Sequence, residues 1–390
     1  MKNICSFEKC TSCKACLNIC PKDAIEFITN DLGQMVPSID KQKCVNCGLC
    51  LKTCPANNPV DLNCINKCYA AWTRDDEDKI CSSSGGIATA FAREIINNGG
   101  KVFGAAFSVD DELKLEIKVA DSAEELREFR GSKYVQSDVG YTYREVKECL
   151  ESGTAVLYIA MPCQIAGLRR YLKKEYDNLY TVDIICHGMP PMLYLQEHVK
   201  NISKSNRIST LSFRGKYDYQ LALFKAGTNK PFYKKNSRED TYFLSFLVGL
   251  IHKKSCYQCE YAQPNRTGDV TIGDFWGLDK STLEEAYKGR VSVVLVNTDS
   301  GKRLLDMCSN RVHLEERRVH EAVEGNAQLR KPSVCHSKRK EFEEVYRKYG
   351  FTDTMSVIGI NMTVRFNGII EMVKMPLRPI KRILVRLLKR

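Results

Sequence analysis

The chain has 390 residues, of which 43% are hydrophobic and 27% charged, enough to bury a sizeable core in about two or three domains. Of the formal net charge of +12, the segment 330–390 carries +10, from 15 Lys and Arg residues against 5 Asp and Glu residues. The rest is close to neutral, so we expect no nucleic-acid partner. No apolar run is long enough to span a bilayer, so we expect no transmembrane helix.

Cysteine is the most informative residue type, with 19 in the chain. A secreted disulfide scaffold needs an export signal, and the opening residues "MKNICSFEKC" contain no apolar segment. In a reducing cytosol, dense cysteines indicate metal or cluster ligands. We therefore expect a cytoplasmic protein with several such sites.

Two cysteine runs open the chain, "CTSCKACLNICP" and "CVNCGLCLKTCP", and repeat at an offset of 34 residues. Their spacing is typical of bacterial two-cluster ferredoxins, in which the fourth cysteine of each run ligates the other cluster. The pattern predicts two 4Fe-4S clusters, the first held by Cys10, Cys13, Cys16 and Cys54 and the second by Cys44, Cys47, Cys50 and Cys20. Short strands are predicted between the runs, at "AIEFI" and "MVPSI". A pair of zinc sites is the alternative, which the Cys-Pro ending disfavours.

The next motif is a Ser/Gly-rich turn in "CSSSGGIATAFAREIINNGG". Ser82–Gly86 precedes a predicted helix in which apolar residues recur at helical spacing. A turn that opens a helix offers free amides and the positive end of the helix dipole, which suit a phosphate or a flavin pyrophosphate. Many such turns bind nothing, so a purely structural turn stays an alternative.

From residue 101 onward, strand and helix patterns alternate. Strands are predicted at "KVFGAAFSV", "LKLEIKVA", "TAVLYIA" and "LYTVDIIC", and helices at "SAEELREF", "YREVKECLESG" and "QIAGLRRYLKKEY". Continuous apolar strands that alternate with helices indicate a parallel or mixed sheet with helices on its faces. We therefore predict an α+β or α/β fold class, with the N-terminal ferredoxin module joined to a mixed α/β domain.

Four further cysteines lie outside the two runs in positions that suggest a third site. Cys163 and Cys186 each follow a buried strand, and the carboxyl ends of neighbouring strands meet at one sheet edge. Cys256 and Cys259 form a Cys-x-x-Cys pair in "SCYQCEY". Together the four thiolates predict a third cluster. Zinc, a redox dithiol, ordinary core cysteines, or His187 as the fourth ligand stay open as alternatives.

The segment "IKRILVRLLKR" near the end of the sequence places Ile and Leu on one helical face and Lys and Arg on the other. A basic amphipathic helix suits an anionic membrane surface. Packing on its own domain or on a partner protein is the alternative. We therefore expect the protein to be free in the cytoplasm or held at the inner face of the membrane by this tail.

The motifs "SSSGGIATA", "KYVQSDVG", "MPCQIAGLRRYL", "VDIICHGMP" and "SCYQCEYA…GDVTIGDFWG" occur in this order. Together they resemble the beta-subunit family of coenzyme F420 hydrogenases and dehydrogenases, fused to a ferredoxin module. The resemblance covers roughly residues 1–300 and implies a flavin-binding domain that holds FAD. It also implies four parts, a ferredoxin domain at 1–60, a flavin-binding part at 61–150, a part with the third-cluster cysteines at 151–325 and a basic helical tail at 326–390.

The resemblance also implies which residues surround FAD and the third cluster, namely Ser83, Ser84, Gly85, Gly86, Lys133, Gln136, His187 and Asp274. Lys133 would hold the pyrophosphate or the flavin ring, and a solvated surface lysine is the alternative. The catalytic residues are not identified by the sequence.

The expected function is that of a flavin-dependent oxidoreductase that passes electrons between the clusters and FAD. Its substrate would be coenzyme F420 or another small organic hydride acceptor or donor, and a redox protein or soluble carrier would serve the clusters. One alternative is an electron-transfer subunit that relays electrons to a separate catalytic partner, linked to polysaccharide biosynthesis in some bacterial relatives. Another is a cluster-bearing scaffold or redox sensor.

Overall fold

The structure is a computed structural model that describes residues 3–109, 112–204, 206–215, 219–228 and 230–374. It divides into two compact units. Unit 1 combines Met1–Met192 with His252–Val334, and unit 2 combines Leu193–Ile251 with the described residues from Cys335 onward. The segment 193–251, predicted to lie within one part at 151–325, belongs to a separate compact unit.

The N-terminal part of unit 1 is a ferredoxin-type module, as predicted. It consists of helix α1 (Ala15–Ile19), strands β1 (Ile25–Thr29) and β2 (Met35–Ile39), and helix α2 (Leu49–Thr53). The strands pair antiparallel from Ile25 opposite Ile39 to Thr29 opposite Met35. In the turn between them, Asn30 Oδ1 accepts hydrogen bonds from the amides of Leu32 and Gln34. In each run the first two cysteines lie in a loop, and the helix begins two residues after the second cysteine.

Eleven further strands lie in the described part of the chain. They are β3 (Lys67–Thr73), β4 (Lys101–Val109), β5 (Leu113–Ala120), β6 (Val156–Ala160), β7 (Leu179–Ile184), β8 (Ile208–Arg214), β9 (Tyr219–Lys225), β10 (Pro231–Asn236), β11 (Val270–Asp274), β12 (Ser292–Val296) and β13 (Val312–Arg317).

The helices of the first half of this region are α3 (Asp76–Cys81), α4 (Ile87–Asn97), α5 (Leu126–Phe129), α6 (Thr142–Glu151) and α7 (Pro162–Leu172). They are followed by α8 (Met192–Ser203), α9 (Thr241–Leu247), α10 (Asp299–Met307), α11 (Val319–Gly325), α12 (Arg339–Val357) and α13 (Ile360–Lys374). Short 3₁₀ segments occur at Lys254–Gln258, Lys280–Thr282 and Ala327–Leu329.

Unit 1 is built on an eight-stranded mixed sheet in the order β13-β3-β12-β11-β7-β6-β4-β5. The four consecutive strands β11, β7, β6 and β4 run parallel to one another, and the remaining pairs are antiparallel. Helices cover both faces, with Phe91 of α4 and Leu304 of α10 in one buried cluster and Tyr143 of α6 and Leu168 of α7 in another. The mixed α/β fold predicted from the alternating pattern is confirmed.

The adjacent, parallel strands β6 and β7 decide the geometry of the third cysteine set. Ala160 of β6 lies opposite Asp183 of β7, so the two strands end at the same edge of the sheet. The carboxyl edge of such a sheet is where ligands bind in open α/β folds. The residues that follow both strands are therefore brought together.

Unit 2 contains a three-stranded antiparallel sheet in the order β10-β9-β8. Its buried aromatic side chains include Tyr194, Phe342 and Phe351. Tyr194 makes an edge-to-face contact with Phe342 and stacks on Phe351. Helix α12 is kinked at Gly350, which has φ of +71° and lies outside helical geometry. Buried Asp240 accepts hydrogen bonds from His198 Nε2 and Tyr233 Oη, both at 2.8 Å, so this polar group is satisfied inside the core.

One predicted helix is shorter in the structure than in the sequence pattern. In "SAEELREF", residues 122–125 form a turn in which Ser122 Oγ donates a hydrogen bond to Glu125 Oε2 at 2.9 Å. Helix α5 begins after this turn, at Leu126. The basic helix predicted at 380–390 lies outside the described residues. Within the residues that the structure describes, no helix combines the length and apolar character needed to cross a bilayer.

Candidate cluster and flavin sites

The first predicted cysteine set surrounds one cavity in the ferredoxin module. Cys10, Cys13, Cys16 and Cys54 all line it, and the space enclosed is about 330 Å³, including the part open to solvent. The loop that carries them has left-handed residues at Ser12 (φ 55°) and Lys14 (φ 58°). This reversal turns the three successive cysteines of the loop toward one cavity as α1 begins.

The second predicted set surrounds a separate cavity of about 380 Å³. Its lining includes Cys44, Cys47, Cys50 and Cys20. The left-handed residues recur at Asn46 (φ 53°) and Gly48 (φ 74°), 34 residues after those of the first loop. The sequence repeat is therefore also a repeat of backbone geometry, and it brings together the residues that the spacing predicted.

The third predicted set, Cys163, Cys186, Cys256 and Cys259, also lines a single cavity, of about 610 Å³. Cys163 lies in the first turn of α7, directly after β6, and Cys186 follows β7. Cys256 lies in the 3₁₀ segment Lys254–Gln258, and its Sγ accepts a hydrogen bond from the amide of Met189 at 3.4 Å. Three segments that are far apart in sequence thus meet around one space.

These thiols are buried, which disfavours their charged form while no metal is bound. Burial raises the pKa of Cys13 and of Cys259, to about 12 and about 11 respectively. Burial also raises the pKa of Cys163 and Cys186. A thiol with a raised pKa keeps its proton at neutral pH unless a metal displaces it, so cluster binding would release protons. A backbone amide also points at the sulfur of Cys20, which accepts from Ala24 N–H at 3.3 Å.

A fifth cysteine, Cys5, lines the first cavity together with the four predicted ligands. Its single S–H has Cys10 and Cys54 as neighbours, and interaction with Cys5 lowers the pKa of both of these thiols. The repeat-equivalent residue, 34 positions on, is Ile39, which lines the second cavity. The two cavities therefore differ at this position, and no spacing motif marks Cys5 in the sequence.

The cysteine sets surround cavities and do not converge on a point. In the described part of the chain, no group of three or more His, Cys, Asp or Glu side chains is arranged to hold a single metal ion. The side chain of His187, the alternative fourth ligand, is not among those that line the third cavity, although the next residue, Gly188, is.

The Ser/Gly turn packs tightly against the sheet. Gly85 N–H donates to Ser292 Oγ at 2.8 Å, and an added Cβ at Gly85 would clash with the carbonyl oxygen of Ala71. Gly86 precedes α4 with φ of +83°, and an added Cβ there would lie 2.6 Å from Thr73 Cγ2. Both glycines are therefore required by the close approach to β3, whether or not a ligand binds.

Other features of the same turn suit an anion. Helix α4 has no acidic residue in its first turn, so no carboxylate competes for its positive end. The Nη1 of Arg290 donates to Ser83 O at 3.0 Å, which places a guanidinium beside the turn. Ser84 Oγ donates to Val291 O at 3.2 Å. The donor set of helix amides and a neighbouring guanidinium is chemically suited to a pyrophosphate.

Lys133 lies in a loop that joins this turn, since Ser83 Oγ accepts a hydrogen bond from Ser132 N–H at 2.6 Å. Its ammonium donates to the carbonyl oxygens of Phe129, Arg130 and Gly131 at 2.9–3.1 Å. These bonds use all three donors of a lysine. Burial lowers the pKa of Lys133 to about 7. In this structure the side chain therefore closes the end of α5 and does not reach outward.

The other three predicted flavin residues fall in two places. Asp274 ends β11 opposite Ser292, whose hydroxyl accepts from Gly85, so Asp274 lies near the Ser/Gly turn. Gln136 lines the third cavity and its Nε2 donates to Thr11 O in the first cysteine loop at 2.9 Å. His187 lies next to the same cavity, and its carbonyl accepts from Ser333 Oγ at 2.5 Å.

Arg266 organises the segment that carries the Cys-x-x-Cys pair, and sequence reasoning did not single it out. Its guanidinium is buried and pairs with buried Asp183 at 3.0 Å. It also donates to the carbonyls of Tyr261 and Gln263 at 3.0 and 3.2 Å, in the loop after Cys259. The only sequence signal was its position in "QPNRTGD" between that pair and β11.

Three comparisons with known proteins bear on this arrangement. Residues 153–322 match the C-terminal model of the family "Coenzyme F420 hydrogenase/dehydrogenase, beta subunit", and 68–141 match its N-terminal model. Residues 9–58 match a 4Fe-4S dicluster domain. The two beta-subunit models together span more than half of the chain, and the resemblance seen in the motifs is confirmed.

Among solved structures, a xenon derivative of the F420-reducing NiFe hydrogenase complex from Methanosarcina barkeri contains a similar chain. It is 17% identical, with a TM-score of 0.42, and the match covers 73% of this chain and 93% of that chain. No curated protein matches the sequence.

Proposed function

Because the chain belongs to the coenzyme F420 hydrogenase/dehydrogenase beta-subunit family, we propose that it is an iron–sulfur flavoprotein oxidoreductase. It would pass electrons between ferredoxin-type clusters and FAD. The observation that carries the proposal is that three sets of four cysteines each surround their own cavity within one compact unit. Electron transfer needs a series of centres at short range, and this unit supplies three candidate positions.

In this proposal the residues of the chain hold and separate the centres. The two ferredoxin sets would each hold one 4Fe-4S cluster, and the third set would hold another. The amides at the start of α4, with Arg290 beside them, would bind the FAD pyrophosphate. Bound FAD would supply the exchange of single electrons for a hydride. Coenzyme F420 or another small organic molecule would be the hydride partner, and a redox protein or soluble carrier would exchange electrons with the clusters.

A second candidate function is an electron-transfer subunit that relays electrons to a separate catalytic partner. Two observations favour it. The ammonium of Lys133 is occupied by carbonyls of its own loop, and the glycines of the turn are explained by packing on β3. The cytoplasmic location and the contact of the tail with a membrane stay predictions.

Anaerobic purification followed by iron and flavin analysis tests the proposal. Fully reconstituted protein should hold about 12 iron atoms, from three four-iron clusters, and about one FAD per chain. Cys256→Ser should lower the iron to about 8 and leave the ferredoxin sets intact. Cys64→Ser is the matched control, because Cys64 is exposed and lines none of the three cavities.

The outcomes separate the two functions. Turnover of F420, NADH or NADPH with a dye acceptor, by protein that carries flavin, supports the oxidoreductase. Three clusters without flavin after incubation with FAD favour the relay. About 8 iron atoms with one zinc per chain would refute the third cluster and make that site structural.

A further inference from the structure

Lys253 lies between the first and third cysteine sets. Its side chain is buried, with 2% of the residue exposed, and its Nζ donates a hydrogen bond to Ser12 Oγ. Ser12 stands between Cys10 and Cys13 in the first loop. Lys253 also lines the third cavity and precedes Cys256 by three residues. One side chain therefore touches the loop of one set and the wall of the other.

The backbone around this lysine is anchored on both sides. Lys253 N–H donates to Met189 O at 3.0 Å, and Lys253 O accepts from Cys256 N–H at 3.0 Å. At the far end of the side chain, Ser12 Oγ donates in turn to Met35 O at 2.5 Å. The position of the ammonium is consequently set by the fold.

Helix α7 gives independent support that the two sets are neighbours. Cys163 lies in its first turn, and an added Cβ at Gly167 would lie 3.0 Å from Cys13 Cβ. The two positions on α7 are four residues apart, which is about 6 Å along a helix. The backbone of α7 thus passes from the third set to the first within roughly one turn.

The charge environment of Lys253 differs from that of the other buried lysine near these cysteines. Lys14 pairs with Asp138 at 2.5 Å. Among the described residues Lys253 has no carboxylate partner. Burial lowers its pKa, and the nearby thiols of Cys10 and Cys256, one from each set, act in the opposite direction. Negatively charged clusters in the two sets would favour the charged form of the lysine, whose charge would then act on both.

We infer that Lys253 is a positioning residue that places a positive charge between the first and third clusters and raises the reduction potentials of both. Reduction adds an electron to a cluster that is already negatively charged, and a cation in a low-dielectric interior stabilises the added charge. An electron that moves from one of these clusters to the other would then be stabilised by the same lysine at both positions. The inference rests on the proposed function for its third cluster.

The test is a redox titration, followed by electron paramagnetic resonance, of anaerobically reconstituted Lys253→Met protein. Methionine keeps the length and removes the charge. The potentials of the first and third clusters should shift downward together, while that of the second cluster should not move. Lys254→Met is the matched control, since its neighbouring ammonium lies over the ring of Phe7, and it should leave the third cluster's potential unchanged. Lys253→Arg should restore values near those of the wild type.

Several outcomes would overturn the inference. Unshifted potentials in Lys253→Met protein with about 12 iron atoms would show that the charge does not act on the clusters. An equal shift of all three clusters would show a general structural effect. If the methionine variant loses iron, Lys253→Gln keeps a donor for Ser12 and must show the same paired shift. Wild-type protein with about 8 iron atoms would instead refute the third cluster of the proposed function, and the shift of the first cluster would still decide the role of Lys253.

Discussion

Replacing Arg266 with methionine should destabilise unit 1 far more than removing an exposed ion pair of similar geometry. Arg266 and Asp183 are both buried, with 1% and 0% of their side chains exposed. Breaking a buried pair by removing one partner costs about 3–5 kcal/mol, because the other charge stays in the interior. Asp183 keeps hydrogen bonds from Thr267 N–H, Thr267 Oγ1 and Gly268 N–H at 2.8–3.1 Å. Those donors stabilise part of its charge, so we expect the free energy of unfolding to fall by the lower end of this range, about 3 kcal/mol.

For a unit of this size, about 3 kcal/mol corresponds to a fall in melting temperature of roughly 6–12 °C. The assay is calorimetry of anaerobically reconstituted protein, with iron release followed in parallel. Because Arg266 also holds the carbonyls of Tyr261 and Gln263, iron from the third site should be released before iron from the ferredoxin module.

The matched control is Lys67→Met. Lys67 and Glu316 approach to 2.6 Å, but their side chains are 52% and 56% exposed. An exposed pair is solvated and screened, so the melting temperature should fall much less than in Arg266→Met protein. If Arg266→Met lowers the melting temperature no more than Lys67→Met does, and iron release is unchanged, burial does not determine the energy of the Arg266–Asp183 pair.

Two further predictions concern residues around the other sites. Cys5→Ala should leave about 12 iron atoms in place and lower the first cluster's potential relative to the second, because an S–H donor beside that cluster's sulfur ligands is lost; redox titration checks this, and a loss of four iron atoms would instead make Cys5 a ligand. Gly85→Ala should destabilise flavin-free protein by about 1–3 kcal/mol through the clash with Ala71, whereas the control Gly368→Ala, with open space around it, should be neutral or stabilising; an unchanged melting temperature with loss of flavin would assign Gly85 to the cofactor.

Much of unit 1 was accessible from local sequence patterns. The strands β4 and β5 were predicted with the bounds that the structure gives them, and β6 and β7 within two residues at each end. The apolar composition of these strands determines their burial, and the helix between β6 and β7 allows those two strands to run parallel. The two ferredoxin loops were equally predictable from the sequence, because ligand spacing and loop geometry both repeat after 34 residues.

The pairing of distant segments was less accessible. No local pattern indicates that 193–251 leaves unit 1 and joins the residues from Cys335 onward in a second unit. Which segments share a core depends on packing between faces that local periodicity does not identify.

The sequence by itself determined which cysteines occur in sets, because chelation by a short loop demands a fixed spacing between ligands. Only the tertiary structure placed Cys5 beside the first set, Lys253 between the first and third sets, and the ammonium of Lys133 on its own loop. None of these three residues lies in a motif whose spacing encodes its contacts. The contact between Lys253 and Ser12, for example, joins residues 241 positions apart, and such a contact forms only when the chain folds around a common core.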